Sequence, residues 1–250
     1  MASLVVSAAL PASAITHGTV DGKAHPNVGV LAIPDPQGGM RAWCTGTLIA
    51  PKIVLTAAHC TVGLPALGVH DIKVTFDPVF DPTRGTFFGG RYVSHPGFDE
   101  ARGENDVAVV LLDKAVRGIT PASLPKADLL GTMKKMGTLT SQSFTNVGYG
   151  GTLDASTIPS TIVYDGTRRY STSPALGLDT VHLRLHMNNA ATGGGGTCFG
   201  DSGGPHFVGT GTVIASVTSW GDGSCQALDQ TQRLDTTGVR SFLKSYVKLP

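Results

Sequence analysis

Charge is scarce in this 250-residue chain. Only 15% of the residues are charged, and 19 Lys and Arg offset 18 Asp and Glu to leave a net +1. So neutral a surface gives nucleic acid or an anionic membrane nothing to bind by bulk electrostatics, and neither is expected as a partner. Cysteine is confined to Cys44, Cys60, Cys198 and Cys225. No C-x-x-C pair occurs among them, so no structural zinc site and no metal cofactor is expected. Beyond the N-terminus no apolar run is long enough to span a bilayer. Glycine (33) and proline (15), by contrast, are plentiful. Together with the low charge they suit a turn-rich all-β protein, not a coiled coil or a disordered chain. The length allows one sizeable core or two modest ones.

Residues 1–14 read differently from the rest. Ala2 to Leu10 is small or apolar, and Ala12-Ser13-Ala14 has the small-x-small form of a signal-peptidase site. The segment is too short to cross a membrane and has no basic n-region, which suggests that the start of the sequence is truncated. A secreted protein is expected. An even cysteine count in an exported chain predicts two disulfides, and sequence alone allows three pairings.

Runs rich in β-branched residues recur at Val28 to Ile33, Thr47 to Leu55, Ile72 to Phe76, Val107 to Leu112 and Val213 to Ser219. This spacing predicts sandwich or barrel strands. Val181 to Met187 alternates strictly, which predicts a strand with His182 and His186 facing solvent rather than a helical metal pair. A single helix is predicted at the end. There Thr236 or Thr237 can cap, and Val239, Phe242, Leu243, Tyr246 and Val247 recur at helical spacing, to dock on the last barrel. The strand pattern weakens between about 113 and 140, so the halves are expected at 15–125 and 126–250. Gly193 to Gly196 reads as a flexible loop.

The strongest local motif is Gly200-Asp201-Ser202-Gly203-Gly204-Pro205. A serine hydroxyl is a weak nucleophile unless a base takes its proton and donors stabilise the oxyanion. Flanking glycines let the backbone turn tightly enough for the N–H groups of Gly200 and Ser202 to converge. Among eight histidines, His59 stands out in Thr56-Ala57-Ala58-His59-Cys60, where an apolar strand ends beside a cysteine that could pin the ring. The base needs a carboxylate to hold its tautomer, and Asp106 heads the apolar run Val107 to Leu112. Taken singly, these are a glycine turn, a structural histidine and a turn aspartate. Together they point to acyl transfer.

In this order and spacing the three motifs resemble the signatures of the trypsin/chymotrypsin-like serine proteases, especially the bacterial secreted members, across roughly residues 15 to 248. The resemblance implies two six-stranded antiparallel β-barrels with the active site between them and a C-terminal helix. It also implies Cys44–Cys60 and Cys198–Cys225 disulfides, protein or peptide substrates, a monomer and no cofactor. Ser219-Trp220-Gly221 resembles the edge segment that pairs with substrate, with Ser219 approaching Asp106. Asp201 resembles the acid that pairs with the mature N-terminal amine, here on Ile15. Ile15-Thr16-His17-Gly18 departs from the family pattern at Thr16 and His17.

For specificity, the resemblance puts Gly196 at the floor of the primary pocket with Thr197 and Gly221 beside it. That open slot implies aromatic or large aliphatic residues before the scissile bond. Asp229 falls where the family usually has a wall glycine, and its carboxylate would favour Lys or Arg instead. The chief rival is a non-catalytic binding protein on the same fold, against which the retained triad argues. An α/β-hydrolase esterase would carry its triad in another chain order.

Overall fold

The computed structural model describes residues 15–154 and 161–250. The signal-peptide expectation for residues 1–14 lies outside them. A two-residue strand, β1 (Thr19–Val20), opens the fold. Six strands follow: β2 (Val28–Pro34), β3 (Met40–Ala50), β4 (Ile53–Thr56), β5 (Asp71–Thr75), β6 (Phe88–Ser94) and β7 (Ala108–Leu112). They close into an antiparallel barrel in the order β2-β3-β4-β7-β6-β5. The second half supplies β8 (Ser143–Gly148), the β9–β10 hairpin (Thr152–Asp154, Thr161–Val163), β11 (Arg169–Leu178), β12 (His182–His186), β13 (Pro205–Val208), β14 (Ile214–Gly221) and β15 (Leu228–Arg233). Here β8 pairs with both β11 and β13, which closes a second ring of six, while β1 adds to the outer edge of β11.

The near-continuous apolar reading of β2 and β7 has a simple cause: both faces are buried. Leu31 and Ile33 point with Val110 and Leu112 into the first barrel. Val28, Val30 and Ala32 point the other way, with Val107 and Val109, to meet Val147, Tyr149, Phe207 and Val217 of the second. At about 25 cal/mol per Å² of apolar surface, this shared seam is what holds the two halves together. Thr47 to Leu55 is not one strand but two, folded back at Pro51–Lys52 so that Thr47 opposes Leu55.

Helices are few and short: α1 (Leu129–Lys135), α2 (Asn189–Thr192) and α3 (Thr237–Leu243). Thr236 has the extended geometry of a cap before α3, although its side chain makes no capping bond. The helix docks more widely than expected. Its Phe242 ring packs 5.0 Å from that of His95 in the first half, while Val239 and Leu243 join the seam between barrels. Among the described residues no helix is long and apolar enough to cross a membrane.

Two expectations need correcting. His182 does lie on a strand, β12, but it is buried, with Nε2 2.9 Å from the carbonyl oxygen of Gly103, and His186 is half-buried. Alternation fixes which residues share a face, and here the polar face of β12 is covered by the loop around Gly103. Gly193 to Gly196 is not a loose loop either. A Cβ on Gly195 would come within 1.7 Å of the Thr16 carbonyl oxygen, so glycine is there for a close backbone approach.

Candidate active site

Asp106 is the best-anchored group in the cleft. Asn105 takes the left-handed region (φ +57°), which asparagine tolerates better than most residues, and turns the chain so that Asp106 heads β7. The Asp106 N–H donates to Gln232 Oε1 at 3.0 Å. Its carboxylate accepts three hydrogen bonds: from the His59 N–H at 2.9 Å, His59 Nδ1 at 2.7 Å and Ser219 Oγ at 2.5 Å. Burial works to raise the pKa of Asp106, but the bonds from His59 and Ser219 outweigh it and hold the carboxyl below its ordinary value. An ionised carboxylate can only accept, so Nδ1 carries a ring proton, and in the neutral tautomer the lone pair is on Nε2.

That Nε2 faces Cys60 Sγ at 3.8 Å, and the same sulfur lies 3.7 Å from the Ser202 carbonyl oxygen. Cys60 is bonded to Cys44, so the disulfide is the shared wall between imidazole and serine loop. Thr45, next to Cys44, tethers that loop twice. Its N–H donates to the Ser202 carbonyl and its hydroxyl to the Gly200 carbonyl, both at 2.9 Å. Ser202 itself is half-buried, and its hydroxyl makes no hydrogen bond to other described residues.

The loop carrying Ser202 has Gly200 at φ +96° and Gly203 at φ +76°, both in space reserved for glycine. The second disulfide, Cys198–Cys225, ties its base to the turn after β14. The N–H groups of Asp201, Gly203 and Gly204 are spoken for, donating to the carbonyls of Cys198, Thr218 and Asp201. Those of Gly200 and Ser202 donate to no described acceptor. A G-x-S-x-G spacing also occurs in the serine elbow of α/β-hydrolases, where a helix follows; here the strand β13 follows.

Asp201 is fully buried beneath this loop. It accepts from the N–H groups of Gly150 at 2.7 Å and Cys198 at 2.9 Å, and burial pushes its pKa up to about 7. No cationic side chain pairs with it among the described residues. Ile15 is also fully buried, and Thr16 exchanges hydrogen bonds with Gly196, its N–H reaching the Gly196 carbonyl at 2.8 Å.

The specificity candidates fall on one wall. Asp229 on β15 opposes Gly221 on β14, and its Oδ2 accepts from Thr197 Oγ1 at 2.7 Å. Its Oδ1 is buried with no partner, and burial raises its pKa to about 7. Gly196 is backed by Met187, whose sulfur would lie 2.1 Å from an added Cβ. The backing of Gly196 is therefore apolar and leaves no room for a side chain there, a feature the sequence left hidden because Met187 comes from the end of β12. Behind the wall, buried His206 bridges Asn146 and Thr218 and is held neutral, its pKa pushed down to about 3 by burial.

Trp220 is half exposed on the rim, and the Ser219–Gly221 end of β14 runs past the last residue paired with β13. Beside it a cleft of about 380 Å³ opens between His59, Trp220 and the Phe98–Gly103 loop. A smaller pocket of about 230 Å³ lies on the far side, lined by Trp43, Tyr149, Tyr164 and Gly200. A larger concavity of about 1110 Å³ follows α3 and the tail, and none of the candidate catalytic, oxyanion or specificity residues lines it.

Two antiparallel barrels with a buried carboxylate holding a partly exposed imidazole, and a serine in a glycine-rich turn at their seam, define a two-barrel serine hydrolase. The family model "Trypsin" matches residues 18–234, and the chain belongs to that family of trypsin-like serine endopeptidases. It is 34% identical to "Trypsin" of Saccharopolyspora erythraea over 204 residues, covering 80% of this chain and 82% of that protein. "Trypsin Blo t 3" of Blomia tropicalis is 29% identical over 195 residues, covering 74% and 70%. The solved structure of HL collagenase superposes with a TM-score of 0.72 at 19% identity over 94% of this chain and all of that one, a likeness of fold.

Proposed function

We propose that the protein is a secreted serine endopeptidase in which Ser202 is the nucleophile, His59 the general base and Asp106 the group that orients and charges His59. The observation that carries this reading is the double grip of Asp106 on His59, through backbone N–H and Nδ1, which turns Nε2 toward the Cys60 sulfur that the Ser202 carbonyl also approaches. Ser202 attacks the peptide carbonyl as Nε2 takes its proton. The N–H groups of Gly200 and Ser202 receive the oxyanion, His59 protonates the leaving amine, and water releases the acyl-enzyme by the reverse roles. Hydrogen bonds of this kind commonly tighten only once substrate is bound, which fits the unpaired Ser202 hydroxyl.

Substrate pairs as an added strand along Ser219-Trp220-Gly221, whose outer edge is open. The primary pocket, over Gly196 with its Met187 backing, favours aromatic or large aliphatic side chains. A second reading rests on one atom: the unpaired Oδ1 of Asp229 is suited to a Lys or Arg side chain. Cleavage after Ala14 would give Ile15 an α-amine, and its insertion beside Asp201 would supply the cation that carboxylate lacks. Export and activation would then be one event.

The test is cleavage-site mapping on a mixed peptide library with Ser202→Ala as control. Turnover should fall by roughly a million-fold in the variant, with a fluorophosphonate probe labelling only the parent. A loss of a few-fold, or a probe that ignores Ser202, would replace the enzyme with a binding protein. Cuts after Phe, Tyr, Leu or Met support the apolar pocket, and cuts after Lys or Arg support Asp229.

A further inference from the structure

Arg168 is the largest fully buried side chain among the described residues, and the chemistry above does not use it. A guanidinium cannot be neutralised in a protein, so its burial demands a full set of acceptors. It has them. Nε donates to Asp21 Oδ2 at 2.7 Å, and one terminal nitrogen to the Gly22 carbonyl at 2.8 Å. The other reaches the carbonyls of Val28 at 2.9 Å and Phe76 at 3.0 Å and the Tyr149 hydroxyl at 3.0 Å. Asp21 is itself held by His25 through N–H and Nδ1. The Tyr149 hydroxyl, accepting from Arg168, donates to the Asp77 carbonyl at 2.7 Å. One cation thus gathers the N-terminal segment, two neighbouring strand ends of the first barrel and the chain just after β8.

Tyr149 sits in the strip that supports the serine loop. The Gly150 N–H donates to Asp201 Oδ1 at 2.7 Å, and the Gly151 N–H to the Phe199 carbonyl at 2.7 Å. Contact is so close that a Cβ on Gly148 would lie 2.0 Å from Asp201 Oδ1 and one on Gly200 2.9 Å from the Gly150 Cα. We propose that Arg168 is a positioning residue for the oxyanion loop: through Tyr149 it fixes the 148–151 strip on which Phe199 to Ser202 rests. The N-terminal segment then reaches that loop by two routes. One is the Ile15–Asp201 contact of the proposed activation; the other is the side-chain chain Asp21–Arg168–Tyr149, which needs no free amine. The inference rests on the functional reading above, in which the Gly200 and Ser202 N–H groups act on the oxyanion.

The test uses Tyr149→Phe, which deletes one oxygen, and Arg168→Lys, which keeps the charge but not the fork. Each is compared with the parent for kcat and KM on a peptide amide and for affinity for a peptide aldehyde, whose tetrahedral adduct loads the oxyanion site. Tyr149→Phe should lower kcat and aldehyde affinity together by about tenfold with KM within twofold, and Arg168→Lys by more. If Arg168→Lys does not fold, Tyr149→Phe decides alone. Unchanged kcat and aldehyde affinity per fluorophosphonate-labelled site, whatever happens to the melting temperature, would reduce Arg168 to a stabilising residue and overturn the proposal. Hydrolysis that survives Ser202→Ala would instead overturn the functional reading, and this inference with it.

Discussion

Replacing Asp229 with asparagine should change how stability depends on pH. The Asp229 side chain is fully buried, and only one of its oxygens has a partner, Thr197. The nearest ring, His206 at 3.6 Å, is held neutral and offers no compensating charge. Burial, opposed only by the Thr197 bond and reinforced by the Asp201 and Asp222 carboxylates, raises the pKa from 3.8 to about 7. A folded acid with a raised pKa keeps its proton where the unfolded chain has lost it. Between pH 4 and 7 the native state therefore binds more protons, and stability falls as pH rises. About three pH units at 1.36 kcal/mol each gives roughly 4 kcal/mol, fully lost above pH 7. Asparagine cannot ionise and escapes this loss, while its unpaired amide costs about 1–3 kcal/mol at every pH. Urea unfolding at intervals from pH 4 to 8, in a Ser202→Ala background to prevent autolysis, should show the variant weaker at pH 4 and gaining on its parent by up to about 4 kcal/mol by pH 8. Asp201 titrates in the same direction in both proteins and largely cancels in the difference. Parallel curves, within about 0.5 kcal/mol across the range, would refute the reasoning.

Ser219→Ala removes a donor to the Asp106 carboxylate, so kcat should fall about tenfold as the His59 ring loses a well-ordered partner. The same loss raises the pKa of Asp106; an unchanged kcat would contradict the role given to Ser219. Gly195→Ala forces a Cβ to 1.7 Å from the Thr16 carbonyl and should cost at least about 3 kcal/mol in thermal or urea unfolding, whereas Gly223→Ala, with open space around it, should stay within about 0.5 kcal/mol.

The division between what the sequence disclosed and what it hid follows the range of the interactions. The candidate site at His59, Asp106 and Ser202 could be picked out because each sits in a short motif, and of these the structure joins His59 to Asp106. The barrel strands were legible as β-branched runs between turn residues. Thr47 to Leu55 was misread as one strand because Pro51 and Lys52 turn the chain without a glycine. His182 and Gly195 were misjudged for another reason. Alternation gives faces but not what covers them, and Gly103 and Thr16 arrive from 79 and about 180 residues away. Arg168 gave no sign at all. An arginine beside Arg169 before a strand reads as surface, and only the meeting of three remote carbonyls with Asp21 and Tyr149 draws it inside. Met187 under Gly196 escaped for the same reason.

The pairing of Thr16 with Gly196 and of β1 with β11 also bears on the order in which the chain can fold. Some 180 residues separate Thr16 from its partner, so closing that contact early would carry a large loop entropy with little to offset it. The residues synthesised first must wait until β11 and the loop before Cys198 exist. Loop entropy therefore favours nucleation in the local hairpins of each barrel over early docking of residues 15–25. Until those residues are seated, the backbone of Gly195 and Gly196 lacks the partner that Thr16 provides, and the stretch leading into Cys198 is held on one side less.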